Sequence, residues 1–154
     1  MTTSLKTTLY RTKNNSIFDS DYDAIINYVN CVGTINVGLA SQFKSHFPEN
    51  YETYRQQFLK HPSKLRIERL LVTENPSFCR NRFIINVATQ NGREPTTLDF
   101  VTESFDKLRY YLSQSSDIES VALTKPDDLD WNDFEPVFVD MVEKLPNIVF
   151  EIYL

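Results

Sequence analysis

Glycine is scarce: the 154-residue chain holds three. A backbone with so few has little access to left-handed turns, so each glycine marks a place that needs one or that something approaches closely. Cysteine is scarcer still. Cys31 and Cys79 lie far apart with no CxxC or Cys/His spacing, which excludes a disulfide framework and leaves no zinc site, or any other metal site, in view. Of the two histidines, His46 and His61, neither has a matching carboxylate pair, so both read as surface residues rather than a general base. Positive charge is also short, 16 basic against 21 acidic residues for a formal net charge of -5, which argues against general affinity for nucleic acid or an anionic membrane. No stretch has the apolar length of a membrane span, and MTTSLKTTLYRTK lacks the apolar core of a secretory signal. A soluble, cytoplasmic protein with reduced thiols and no membrane partner is the expectation.

What the chain does have is a core. With 41% hydrophobic and 13% aromatic residues, it is expected to fold as one domain over 1–154, residues 1–7 forming a flexible leader. Thr8 to Thr12 reads as an edge strand and DAIINYVN (23–30) as a strand buried on both faces. GLASQFKSHF and PENYETYRQQFLKHP read as helices, and RIERLLVTE and RFIINVA as strands. Leu98, Val101, Phe105, Leu108 and Leu112 step by three and four along a helix, with Thr96 and Asp99 as a capping box. IESVALT is a further strand, a last helix begins near Asn132 with Pro136 in its first turn, and IVFEIYL closes the chain as a strand. Strands alternating with helices predict a layered α/β domain with a largely parallel sheet, which binds ligands beyond the carboxyl ends of its strands.

Two of the three glycines, Gly33 and Gly38, stand five apart in NCVGTINVGLASQF (30–43), after the buried strand and before a helix. Strand, glycine loop and helix amino terminus together aim backbone N–H groups and a helix dipole at one point, an arrangement that suits a phosphate or carboxylate. The spacing fits neither GxGxxG nor GxxxxGK[ST], and an ordinary strand-to-helix turn would place the same glycines. Tyr51, Tyr54 and Phe58 step at helical spacing as packing residues, and Thr89, Gln90, Asn91 and Gly92 follow a strand where they could line a cleft or form a plain loop.

Residues 23–54 resemble the first part of a macro domain, and specifically the branch that removes ADP-ribose from a target: a strand ending in Asn, a glycine loop, and a helix carrying Gln-Phe-Lys ahead of Phe-Pro. RFIINVATQNGREPTTLDFVTESFDKL and DLDWNDFEPVFVDMVEKLPNIVFEIYL are similar to later parts of that family, so the resemblance runs from about Thr8 onward. It implies a three-layer α/β/α fold with a mixed, mostly parallel sheet. By the same resemblance Asn30, Gly33, Thr34, Ile35, Asn36 and Gly38 would contact the ribose and diphosphate, and Asn15 the adenine; Thr89, from its place after a strand, would line the adenine or ribose side. Lys44 would be the catalytic lysine, paired with Asp127 or Asp128. No cofactor is implied; the ligand is ADP-ribose, free or on a modified protein or nucleic acid.

Three departures from the family pattern fall on ligand contacts. Asn14 and Asn15 stand where the family has Gly-Asp, Ile35, Asn36 and Val37 replace a Met-Gly, and KPDDLD (125–130) replaces a glycine-rich loop. In that last segment Pro126 offers no N–H, and Asp127, Asp128 and Asp130 would repel a diphosphate unless Lys125 or a bound cation offsets them. The implied activity is therefore binding of ADP-ribose, with or without its hydrolytic removal. The alternative is a degenerate macro fold that works through protein contacts.

Overall fold

The computed structural model describes residues 10–31, 33, 38–92 and 94–154. The expected leader, Thr8, and Thr34, Ile35 and Asn36 of the glycine loop lie outside those residues. Six strands, β1 (Arg11–Lys13), β2 (Ala24–Asn30), β3 (Leu70–Glu74), β4 (Phe83–Gln90), β5 (Ser120–Thr124) and β6 (Val149–Tyr153), form one sheet in the order β1-β6-β5-β2-β4-β3. Every neighbouring pair is parallel except β3 with β4. The mixed, mostly parallel sheet is thus as expected.

Helices cover both faces: α1 (Gly38–His46) and α2 (Pro48–Lys60) on one side, α4 (Leu98–Gln114) and α5 (Trp131–Glu143) on the other, with a short α3 (Lys64–Glu68) between α2 and β3. Period-two alternation in the central strands feeds both layers. Ala24 and Ile26 of β2 and Phe83, Ile85 and Val87 of β4 pack with Val101, Phe105 and Leu108 of α4 and Phe134 and Phe138 of α5. Ile25 and Ile84 point the other way, toward Phe43 of α1. On that second face Asn27, Asn86 and the α2 residue Asn50, all buried, bond to one another at 2.8–3.0 Å, so the polar groups inside the layer satisfy one another.

Three local expectations are corrected. RIERLLVTE is not one strand: its first part belongs to α3, which buries Leu65 and ends at Arg69 with φ 69°. A left-handed arginine is strained, and it is held by bonds from its guanidinium to the Phe100 carbonyl, Ser104 and Glu103. The cap of α4 is Thr97, whose hydroxyl accepts from Phe100 N–H, rather than Thr96. Helix α5 starts at Trp131 after an extended Asp130, near Asn132 as expected. Pro136 consequently falls in the second turn, where it removes the donor that would meet the exposed Asn132 carbonyl.

Candidate functional site

In strand order β2 is the switch point: the chain leaves it toward β4 on one side and returns to β5 and β6 on the other. Open α/β sheets bind ligands at such a point, beyond the carboxyl ends. The pairing of β2 with β5 covers only Ala24 with Val121 and Ile25 with Ala122, although β2 runs on to Asn30. The two strands therefore part over their last turns. Tyr28 bridges the gap, its hydroxyl donating to the Thr124 carbonyl at 2.5 Å. Burial, and then the nearby Asp127 carboxylate, push that hydroxyl well above its ordinary pKa, so it remains a donor.

Two adjoining cavities, of about 680 and 210 Å3, open here and share Leu39, Thr124, Lys125 and Asp127. Asn15 lines the larger; Thr89 and Asp128 line the smaller. Thr89 gets there through a bulge: Val29 pairs with Ala88 and Asn30 with Gln90, so Thr89 is passed over in the register. The Thr124 hydroxyl is buried with no hydrogen-bond partner among the described residues, and the residue lines both cavities. Another groove of about 610 Å3 sits on the outside of α4 and α5, away from the strand ends and lined by surface charges such as Glu103 and Lys107. It gathers none of the candidate residues.

Beside the cleft, the end of β2 is pinned from α2. The buried Tyr54 hydroxyl lies 2.8 Å from the Asn30 carbonyl and 2.7 Å from its Oδ1, and it also takes a backbone bond from Gly33. Gly33 has φ 75°, and a Cβ on it would meet Phe58 Cδ2 at 2.8 Å, so only glycine fits. Gly38 opens α1 at φ 67°, and a Cβ there would lie 3.6 Å from Asp127 Oδ2. The structure thus brings Gly38 and Asp127, far apart in sequence, face to face.

Lys44 is placed differently. It is exposed on α1 with its ammonium 4.4 Å from the centre of the Tyr51 ring, and it lines neither cavity. Asn15 donates to Asp19 at 3.5 Å, the limit for such a bond. His46 is exposed and stacks on Phe18 at 4.1 Å, and His61 is exposed at the end of α2. Among the described residues no group of three metal-ligating side chains is present. Nor is any described helix long and apolar enough to cross a membrane.

Sequence reasoning passed over Tyr28, Tyr54 and Thr124. Tyr28 carried a signal, as the one aromatic in a mostly apolar run, two residues before Asn30. Tyr54 and Phe58 read correctly as packing residues, but what they pack against is the glycine loop. Thr124 gave no signal, because its isolation depends on strands that part in space.

The chain is similar to a protein of Mycobacterium tuberculosis named DNA ADP-ribosyl glycohydrolase, 29% identical over 139 residues, 87% of this chain and 39% of the relative. The protein of the same name from Thermus aquaticus is 29% identical over 109 residues, 70% of this chain and 29% of the relative. The chain therefore spans well under half the length of these curated relatives. Among solved structures, the macrodomain of Thermus aquaticus DarG matches with a TM-score of 0.85 at 25% identity, covering 94% of this chain and 97% of that one. The macrodomain of Mycobacterium tuberculosis DarG matches at 0.82 and 27%, with the same coverage. No protein-family model matches the chain.

Proposed function

Because this chain is a macrodomain, we propose that it binds ADP-ribose in the cleft between β2 and β5 and hydrolyses it from ADP-ribosylated DNA. The observation that carries the reading is the early end of β2 pairing with β5, which opens the cleft beneath the amino end of α1. Gly33 and Gly38 let backbone approach the diphosphate, and Asn30, fixed by Tyr54, orients the ribose. Thr89, lining the smaller cavity, is assigned to the ribose and Asn15, lining the larger, to the adenine. By the resemblance alone, Thr34, Ile35 and Asn36 are further candidates for the phosphate.

Cleavage of a glycosidic bond develops positive charge at the ribose carbon, and a carboxylate placed beside it lowers the barrier. Asp127, against Gly38, is the residue for that role, with Asp128 behind it, and Lys44 assists at the reacting carbon. For that, Lys44 must swing off Tyr51, which its four-carbon stem permits. A formal charge of -5 gives no general pull toward DNA, so recognition runs through the ADP-ribose group itself. Free thiols at Cys31 and Cys79 suit a cytoplasmic setting.

A second reading, binding without turnover, is favoured by the resting place of Lys44 over Tyr51. Release of ADP-ribose from a modified oligonucleotide, followed beside calorimetric titration with free ADP-ribose, separates the two. Release that Lys44→Ala abolishes supports hydrolysis; heat of binding without release supports the second reading; neither signal at millimolar ligand sinks both.

A further inference from the structure

We propose that Lys125 is the diphosphate-binding residue of the second wall of the cleft, one ammonium serving where glycine amides serve on the first. The inference rests on the ADP-ribose reading above. Lys125 is the only basic residue among the described residues lining either cavity. Its Nζ donates to the Leu129 carbonyl at 2.5 Å and the Pro126 carbonyl at 3.0 Å, with the Asp127 carbonyl at 3.5 Å. Three carbonyl oxygens thus converge on one point beside the cleft, and without a cation among them they would repel a phosphate.

An ammonium has three hydrogens. Two are committed to the shorter bonds, and the third faces an acceptor at the outer limit of a hydrogen bond. A phosphate oxygen, charged and mobile, is the better acceptor for that third hydrogen. Thr124, the preceding residue, lines the same walls and carries a buried, unpartnered hydroxyl as a second donor. With the Asp127 carboxylate exposed on the same cavities, a dianion enters only where a positive charge is built into the wall.

The test is calorimetry on the whole chain with two probes, ADP-ribose and adenosine, using wild type, Lys125→Met and Lys125→Arg. Loss of a charged hydrogen bond predicts ADP-ribose affinity lower by about tenfold or more in Lys125→Met, with adenosine affinity unchanged within about twofold. Lys125→Arg keeps the charge and regains most of the loss. Equal weakening of both probes would make Lys125 a clamp on its own loop, and no weakening of either would remove it from the site; either result overturns the proposal. Wild type that binds neither probe overturns the ADP-ribose reading itself. Should Lys125→Met fail to fold, salt decides on wild type alone. In a chain of charge -5 a built-in cation makes ADP-ribose affinity fall as salt rises, whereas a flat or rising affinity refutes it.

Discussion

On the Gly33 side of the cleft the backbone is shaped by what lies behind it: Phe58 leaves no room for a side chain at Gly33, and Tyr54 ties that residue to Asn30. Across the cleft, residues 125–130 contain no glycine and buried Pro126, and hold their turn with a lysine side chain bonded to their own carbonyls. The first wall is rigid through packing from α2, the second through an ammonium bonded to the carbonyls of its own turn. A packed wall fails when its volume changes, and a charged wall when its charge changes. The two therefore respond to different substitutions, with stability as the readout on one side and binding or turnover on the other.

The largest stability effect is expected at Gly33. Gly33→Ala introduces a Cβ 2.8 Å from Phe58 and forces φ 75° on a residue that disfavours it. Overpacking and left-handed strain together are expected to cost about 3 kcal/mol, read by urea denaturation, with ADP-ribose binding lost in what remains folded. Gly38 sharpens the contrast. Among the described residues its Cβ would meet only Asp127 Oδ2, at 3.6 Å, so Gly38→Ala is expected to cost the backbone penalty, about 1–2 kcal/mol. Equal costs at the two glycines would show that packing from Phe58 is not what shapes the first wall.

Tyr54→Phe keeps the packing and removes the hydroxyl that meets Asn30. A cost of about 1–1.5 kcal/mol is expected, with ADP-ribose affinity lowered because the ribose contact is no longer fixed. Burial raises the folded-state pKa of this hydroxyl above its unfolded value, so folding favours the neutral form. Its contribution is complete below about pH 10 and declines as pH rises above that. Wild type should lose stability above pH 10 more steeply than Tyr54→Phe in a series of denaturation curves. Matching slopes would mean Tyr54 is not the group that titrates.

The two walls also differ in how far the sequence discloses them. The apolar runs DAIINYVN and RFIINVA, and three-four spacing in the α4 helix, are local patterns, and they place the sheet and its layers correctly. Gly33 and Gly38 stood out because glycine is rare in this chain. The errors arose where a tertiary contact overrides a local signal: Arg69 ends a helix inside an apparent strand because Phe100, Ser104 and Glu103 hold it there. The meeting of Asp127 with Gly38, and the isolation of Thr124, follow from how β2 and β5 part, and strand divergence leaves no mark on spacing. The bond that ties Tyr54 to Asn30 spans 24 residues and is equally silent.

The smallest stability effect is expected at the residues proposed for the chemistry. Lys44 is exposed, and its contact with Tyr51 contributes about 0.5 kcal/mol, so Lys44→Ala should unfold almost as wild type does. Asp127→Asn, on an exposed side chain, should be similarly silent. Binding separates them. Removing the Asp127 charge relieves repulsion of the diphosphate, so Asp127→Asn should bind free ADP-ribose about two- to tenfold more tightly while releasing it from modified DNA more slowly by about a hundredfold. Lys44→Ala should lose release without gaining affinity, since its ammonium rests over Tyr51 and lines neither cavity. If Asp127→Asn instead weakens binding, the carboxylate positions the ligand rather than opposing it. The acidic wall would then be set by hydrogen-bond geometry, as the glycine wall is, and not by charge.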